Sequence, residues 1–160
     1  MTEENKKILD YIKKKGLSYP IILENQRIPR TELEKVTQKV LDLCKSEIAD
    51  LAFLKELLLY LNDRNYKKLN FIIAYYNHHR SEEFCEFMLA NCSSAIEEFL
   101  VGVISYQNIL KRYYNRTDRN ILLRVIDNKN TEEEVLNKLK SSSDKEIVDR
   151  VKSALYSMLE

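Results

Sequence analysis

The sequence predicts an all-α protein, either a compact helical bundle or a short HEAT/ARM-like superhelix of about nine to ten helices. Its 160 residues include only two Gly and two Pro, too few turn residues for a β-sheet protein. From position 31 onward, apolar residues recur at helical spacing. Capping boxes, in which Ser or Thr precedes Glu by three positions, mark four expected helix starts: Thr31–Glu34, Ser94–Glu97, Thr131–Glu134 and Ser143–Glu146.

The first segment, residues 1–30, is predicted to hold one helix and an irregular stretch packed on the core. The helix is expected over 3–15, and Gly16 is expected to end it. Pro20 and Pro29 then interrupt regular structure. The apolar residues 19–23 are expected to contact the helices rather than solvent.

Residues 31–160 are predicted to form a single all-helical domain. Segments 51–61 and 69–76 are apolar almost all round, which predicts that both lie at the centre. The apolar residues of the last helix form one stripe, which predicts that this helix docks and closes the core; they are Ile147, Val148, Val151, Ala154, Leu155, Met158 and Leu159. The expected helices span 31–45, 47–61, 64–78, 81–91, 94–104, 106–115, 118–127, 131–140 and 144–159.

Composition narrows the class of protein. The net charge of +1 provides no global attraction to DNA or membranes. The sequence contains no run of 18 apolar residues, so we expect no transmembrane helix. The charged N-terminal residues do not match a secretory signal. Three cysteines do not suggest a disulfide framework, so we expect a reducing compartment, the nucleus or the cytoplasm.

No catalytic or metal site can be recognised in the sequence. Two glycines cannot form a phosphate-binding loop. Adjacent glutamates at 82–83 and 97–98 are typical of a solvated helix face. His78 and His79 are near Cys85 and Cys92, but the spacing favours two buried cysteines and histidines stabilised at a helix end. We therefore predict a protein that is not an enzyme and needs no cofactor or metal.

Basic and aromatic residues concentrate in residues 105–125. The bases are Lys111, Arg112, Arg116, Arg119 and Arg124, and they alternate with Tyr106, Tyr113 and Tyr114. Such a surface suits an acidic, aromatic-bearing peptide, or single-stranded nucleic acid. The same pattern is also typical of a core edged by tyrosines with a solvated basic rim.

A family resemblance covers residues 108–160. The matching residues are Ile109-Leu110-Lys111, Thr117, Ile121-Leu122-Leu123, Leu136-Asn137-Lys138-Leu139-Lys140, Ser142-Ser143-Asp144, Lys145-Glu146-Ile147-Val148 and Val151-Lys152. This pattern resembles the last helices of the TFIIS N-terminal domain, a small helical bundle of RNA polymerase II elongation and Mediator proteins. The family's link proline is absent, Asn128-Lys129-Asn130 replaces its glycines, and Met158 lies near the place of its closing tryptophan.

Within that family, the chain is similar in size and class to the Spn or Iws type of transcription elongation factor. The resemblance implies a nuclear, non-catalytic interaction domain that binds a short acidic and aromatic peptide of a histone chaperone or polymerase-associated partner. Lys140 and Lys152 stand at matched positions. The full set of candidate partner-binding residues is Tyr106, Lys111, Tyr113, Tyr114, Arg116, Arg119, Lys138, Lys140 and Lys152.

Two other functions remain open at this point. A cytosolic helical-repeat adaptor or chaperone cofactor would use a concave surface of the middle helices, 47–104. A nucleic-acid binder would use the basic and aromatic residues of 105–125, although the balanced total charge does not favour it. Neither function involves a membrane.

Overall fold

The computed structural model describes residues 1–18 and 31–160, so the packing predicted for residues 19–23 lies outside the described residues. Those residues contain ten α-helices and one 3-10 helix, with no strand among them. The all-α prediction is therefore confirmed. Within the described part of the chain, no helix is both long and apolar enough to cross a membrane.

The chain divides into two compact units, Met1–Cys92 and Ser93–Glu160, called here the first and the second unit. The single domain expected over 31–160 stays a prediction. The first unit holds α1 (Glu3–Lys15), α2 (Glu32–Lys45), α3 (Leu51–Asp63), α4 (Lys67–Asn77) and α5 (Glu82–Asn91). The second unit holds α6 (Ser94–Val103), α7 (Gln107–Leu110), a 3-10 helix (Lys111–Tyr113), α8 (Arg119–Asp127), α9 (Glu133–Leu139) and α10 (Lys145–Ser157).

Local signals set both ends of α1 as predicted. The Thr2 hydroxyl accepts a hydrogen bond from the Asn5 amide at the helix start. At the other end Gly16 has a φ of 79°, a left-handed conformation that glycine adopts without a steric penalty. Its amide donates to the Ile12 carbonyl over 2.7 Å, which stops the helix where the sequence predicts.

The core of the first unit forms around α3, which contacts α1, α4 and α5. Phe53, Leu54 and Leu57 are 0% exposed, so the central place predicted for this helix is confirmed. Helix α4 contacts α2 and α3, and its Leu69, Ile73 and Ala74 are buried. The same prediction is wrong at Phe71 and Tyr75, which are 42% and 55% exposed.

A buried asparagine fixes the end of α4. The Asn77 side chain is 0% exposed, and its Nδ2 donates to the carbonyls of Cys44 and Ile73 over 3.0 and 2.9 Å. Its Oδ1 accepts from Arg80, which also donates to the Ala49 carbonyl. Because the Cys44 carbonyl lies in the last turn of α2 and Asn77 is the last residue of α4, one amide joins the ends of two helices.

Asp50 caps the start of α3, and we expect Asp50→Ala to lower the free energy of unfolding by about 1 kcal/mol. Its Oδ1 accepts from the Ala52 amide over 2.8 Å. The Met1 ammonium, and then this amide, lower the pKa of Asp50. Because the pKa of Asp50 is lower in the folded than in the unfolded protein, the ionised carboxylate stabilises the fold. This contribution is fully present above the pKa of an unfolded aspartate, about 3.9, and it is lost as the pH falls through the pKa of Asp50 in the folded protein.

Urea unfolding of the wild type and the Asp50→Ala variant at several pH values checks this expectation. The stability difference should shrink on acidification from about pH 7 to pH 3. Asp50→Asn serves as the control, because it keeps the capping oxygen but cannot titrate. A difference between wild type and Asp50→Ala that is equal at both pH values would contradict the prediction.

In the second unit, α8 packs between α6 and α10, and α9 packs on α10. Ile121, Leu122, Val125 and Ile126 form the buried side of α8. The prediction of one helix over 106–115 is wrong in length. Only Gln107–Leu110 is α-helical, and the 3-10 turn that follows positions Tyr113 in the core at 5% exposure.

The link between α8 and α9 is held by a second buried asparagine. Asn128 is 4% exposed, and its Nδ2 donates to the carbonyls of Val101 and Ile104, each over 2.9 Å. Its Oδ1 accepts from the Asn130 amide over 2.9 Å. The Asn128 side chain thus satisfies carbonyl groups at the end of α6.

One of the four predicted capping boxes has the expected cap. Thr31 accepts from the Glu34 amide over 3.0 Å. The other three are wrong. Ser93, not Ser94, precedes α6 and makes no side-chain cap; Thr131 instead donates to the Val125 carbonyl over 2.6 Å. The sequence predicts that Ser143 caps α10, but Asp144 is the cap. Its carboxylate accepts hydrogen bonds from the amides of both Glu146 and Ile147, and a charged acceptor binds amides more strongly than a hydroxyl does.

The terminal helix α10 docks through its first half. Ile147 and Val151 are buried against the neighbouring helices. The prediction that the whole stripe closes the core is wrong at its end, where Met158 is 47% and Leu159 is 84% exposed. The helix has 13 residues, while its neighbours α8 and α9 have nine and seven. Shorter neighbours leave its last turn uncovered.

Candidate functional site

A groove of about 640 Å³ runs beside the second half of α10 in the second unit. Its walls are the end of α8 with the α8–α9 link, one residue of α9, and the outer turns of α10. We call it the α10 groove. Its lining residues are Ile126, Asp127, Asn128, Lys129, Thr131, Leu136, Arg150, Ser153, Ala154, Ser157 and Met158.

The floor of the α10 groove is apolar and its position is fixed. Ile126 and Leu136 are 2% and 1% exposed, so both belong to the packed interior. Met158 continues the same apolar stripe into the open groove. Asn128 holds the adjacent link through buried hydrogen bonds. The groove therefore presents a preformed apolar surface rather than one that needs a rearrangement.

The rim of the α10 groove carries one uncompensated positive charge. The Arg150 guanidinium lies 2.6 Å from the Asp127 carboxylate, and its other nitrogen lies 3.7 Å from Glu146. Lys129 is exposed and has no carboxylate partner among residues 1–18 and 31–160. An acidic group entering the groove would therefore meet Lys129 without first breaking an ion pair.

The opposite side of α10 differs in character. Tyr156 is 68% exposed and does not line the groove. Met158 directly follows α10 and keeps a helical backbone conformation, with φ −70° and ψ −17°. Tyr156 is two residues earlier, which places the two side chains about 200° apart around the helix axis. The two positions are close in the chain but face different surroundings, so they form a matched pair for substitution.

The predicted partner-binding bases are mostly paired with carboxylates of their own unit. Arg116 lies 3.1 Å from Glu97, and Lys111 lies 3.4 Å from Glu132. Further pairs join Arg119 to Asp144 and Glu146, and Lys138 to Glu134. Arg124, a base of 105–125 outside the candidate set, is paired with Glu98. These pairs are exposed, so each contributes little to stability, but together they reduce the positive field of 105–125.

The predicted tyrosines have different environments. Tyr113 is buried beneath Arg116, whose guanidinium lies 5.3 Å from the ring centre. Burial, and then the charge of Glu97, raises the pKa of Tyr113 to about 12. Tyr114 is 41% exposed under the Lys138 ammonium, 4.1 Å from its ring centre. Tyr106 is half-buried at the start of α7.

The structure thus brings Tyr113 to Arg116 and Tyr114 to Lys138, but it does not gather the nine predicted residues at the α10 groove. None of the nine lines it. Arg119 instead lines a shallow depression at the start of α10. Lys140 and Lys152 are exposed, without a carboxylate partner in the described part of the chain. Whether any of the nine contacts a partner stays a prediction.

The sequence prediction missed the groove residues Ile126, Lys129, Arg150 and Met158. A signal for Met158 was present, because the apolar stripe of α10 extends beyond the length of the helices before it. The stripe predicts burial over its whole length, and the prediction fails at its end. No pattern along the sequence marks Lys129, since its role depends on which side chains surround the α8–α9 link.

The histidines and cysteines singled out in the sequence are not gathered with other metal-ligating side chains in the described part of the chain. Within residues 1–18 and 31–160, no three His, Cys, Asp or Glu side chains are placed to hold a metal ion. The sequence favours Cys85 and Cys92 as two buried cysteines. Cys85 is buried, and its thiol donates to the His78 carbonyl, whereas Cys92 is only partly buried. Burial raises the pKa of both Cys44 and Cys85 to about 12, which disfavours the reactive thiolate.

Comparison of this chain with family models, with curated proteins and with solved structures finds no match. The candidate site is therefore defined by its own geometry and charges.

Proposed function

We propose that the second unit is a non-catalytic protein-interaction module that binds a short peptide in the α10 groove. One observation carries the proposal. The apolar stripe of α10 continues past the packed core, so that Met158 forms an open wall above the buried Ile126 and Leu136. Covering an exposed apolar surface of this kind with a partner's side chain is favourable, because it removes apolar area from water.

The α10 groove suits a peptide in which an apolar or aromatic side chain stands next to an acidic residue. A volume of about 640 Å³ accommodates one large side chain with its flanking backbone. Lys129 at the rim supplies the charge complement for a carboxylate. Asp127 is already held by Arg150, so it does not repel the incoming acid as a lone carboxylate would.

We expect Met158→Glu to weaken peptide binding at least tenfold, roughly 1.4 kcal/mol or more. The reason is that the new carboxylate stands in the apolar wall and opposes an acidic ligand. The probe is an array of synthetic peptides, each with one Phe or Trp flanked by Asp or Glu. Affinity of the selected peptide is then measured by fluorescence anisotropy with the full chain.

Tyr156→Glu is the matched control, because it adds the same charge two residues away on the opposite side of α10. It should leave the affinity unchanged. Lys129→Gln should weaken binding and reduce its dependence on salt. Equal losses for Met158→Glu and Tyr156→Glu, or no peptide selected by the wild type, would overturn the proposal.

From the TFIIS resemblance, we further propose that the peptide belongs to a histone chaperone or polymerase-associated partner in the nucleus. The resemblance is what supports this assignment; the α10 groove supports peptide binding of the stated chemistry. Affinity purification followed by mass spectrometry, with wild type and Met158→Glu in parallel, tests it. Enrichment of nuclear elongation components that is lost in Met158→Glu would support it. Enrichment of cytosolic proteins alone would favour the adaptor function instead.

A further inference from the structure

The wall that α10 contributes to the α10 groove is one continuous side of a helix. Its lining residues follow the spacing i, i+3, i+4, i+7 and i+8; they are Arg150, Ser153, Ala154, Ser157 and Met158. Met158 directly follows α10 and keeps a helical backbone. This wall therefore runs straight for about 12 Å, or about two helical turns.

The middle of this wall is recessed, because it consists of small residues, Ser153, Ala154 and Ser157. The longer side chains of Arg150 and Met158 stand at its two ends. Arg150 reaches the Asp127 carboxylate of α8 over 2.6 Å and so joins the two walls at one end. An open recess extends from this pair toward Met158, and its small residues allow a second helix to approach α10 closely.

The backbone groups of the opposite wall, the α8–α9 link, are already hydrogen-bonded. The Asn128 amide donates to the Arg124 carbonyl over 3.0 Å, and the Asn128 carbonyl accepts from the Thr131 amide over 3.0 Å. The Asn130 amide donates to the Asn128 side chain, and the Asn130 carbonyl accepts from the Gln107 side chain. A ligand therefore meets few free backbone partners along this link.

The carbonyls at the end of α10 are occupied as well. The Ala154 and Leu155 carbonyls accept from the Met158 amide, and the Ser153 carbonyl accepts from the Ser157 hydroxyl. Extended peptides gain affinity by pairing with an exposed sheet edge, but residues 1–18 and 31–160 contain no strand. An extended peptide in this groove would lose water from its backbone groups without gaining partners, which costs free energy.

We infer, on the basis of the function proposed for the α10 groove, that its ligand is a short amphipathic helix of a partner protein. A helix bonds its own N–H and C=O groups, so it can cover the apolar wall without backbone partners from the groove. Two turns match the length of the recess. Apolar anchors four residues apart would contact Met158 and the floor of Ile126 and Leu136. An acid at the edge of the same stripe would meet the exposed Lys129.

Two synthetic peptides of identical composition test the spacing of the anchors. Both are alanine-based and about 16 residues long, a length at which an isolated helix is marginal in water. In the helix-spaced peptide, Glu follows Phe by three positions and Leu follows it by four. In the strand-spaced peptide, Leu follows Phe by two positions, which places the two anchors on opposite sides of a helix but on one side of a strand.

The helix-spaced peptide should bind the full chain at least about tenfold more tightly than the strand-spaced peptide, because only it can bury both anchors as a helix. Fluorescence anisotropy with labelled peptides measures both affinities. Met158→Glu should weaken binding of the helix-spaced peptide, and Tyr156→Glu should not. Circular dichroism melting verifies that both variants fold; the two substituted side chains are exposed.

Helix propensity is tested at positions of the helix-spaced peptide that face away from the groove. Replacing two alanines there with glycine should weaken binding at least about tenfold, since each glycine disfavours a helix roughly fivefold. Replacing the same two alanines with glutamine is the matched control. Glutamine forms helices almost as well as alanine, so the affinity should stay within about twofold. An extended ligand would respond to neither replacement.

Nuclear magnetic resonance measures the conformation of the bound peptide directly. The isotope-labelled helix-spaced peptide is mixed with the unlabelled full chain. Its Cα chemical shifts should move to helical values over at least about two turns on binding. Shifts that stay at extended or random-coil values in the saturated complex would contradict a helical ligand.

The outcomes separate this inference from the function proposed for the groove. If peptides bind but the strand-spaced peptide binds equally or better, or the glycine replacement has no effect, the ligand is not a helix although the groove still binds peptides. If no peptide binds, both fail. If analytical ultracentrifugation finds a dimer that Met158→Glu dissociates, a second copy of the chain covers the groove, and the inference is overturned.

Discussion

Replacing Asn128 with alanine should lower the free energy of unfolding by about 2–4 kcal/mol. The side chain is 4% exposed and makes three hydrogen bonds, to the carbonyls of Val101 and Ile104 and from the Asn130 amide. Alanine removes all three bonds, of which the two to the carbonyls are buried, and the Ile104 carbonyl keeps only the 3.4 Å bond from Asn130 Nδ2. A buried polar group that loses its partner costs free energy. Urea unfolding of the full chain, followed by far-ultraviolet circular dichroism, measures the loss.

Hydrogen exchange locates the effect of Asn128→Ala. Amides of α6 and α8 should exchange faster, because the substitution releases the end of one helix and the link after the other. Asn120→Ala is the control: it removes the same side chain from an exposed position at the start of α8. If the two variants lose equal stability, the buried hydrogen bonds of Asn128 do not hold the link.

Asn77→Ala should cost a similar amount, about 2–4 kcal/mol, in the first unit. The Asn77 amide is completely buried, bonded to the carbonyls of Cys44 and Ile73 and to Arg80. Its loss also frees the guanidinium of Arg80, which the amide oxygen helps to orient toward the Ala49 carbonyl. The same urea unfolding experiment applies, with faster exchange expected in α2 and α4.

Asn91→Ala is the matched control for Asn77→Ala. The Asn91 side chain makes a comparable bond, to the carbonyl four residues earlier, but it does so in an exposed position at the end of α5. Water can replace that bond, so we expect a loss of less than about 1 kcal/mol. A comparable loss in both variants would show that burial does not determine the cost.

The α-helical class could be predicted because it depends on local properties of the chain. Apolar spacing and the scarcity of Gly and Pro identify helices without any knowledge of their partners. Gly16 illustrates this, since its left-handed conformation needs no tertiary contact. Helix starts were less predictable. Thr131 has the pattern of a cap, yet its hydroxyl donates to the Val125 carbonyl, because the buried link draws the side chain inward.

The candidate site depended on contacts that sequence spacing does not contain. Arg116 meets a carboxylate 19 positions away, and Arg119 meets one 25 positions away, so the bases of 105–125 are compensated by residues from other helices. The Asn77 and Asn128 amides likewise bind carbonyls 33 and 27 positions away. The end of the α10 stripe was visible in the sequence, but its exposure depends on the lengths of α8 and α9.

The placement of the cysteines gives the protein a chemical reporter of its own. All three lie within Met1–Cys92, and two of them, Cys44 and Cys85, are buried with a pKa of about 12. Alkylating reagents such as iodoacetamide attack only an accessible thiolate. Modification of these two residues therefore requires the first unit to open, so the rate at which they are alkylated reports the opening of that unit.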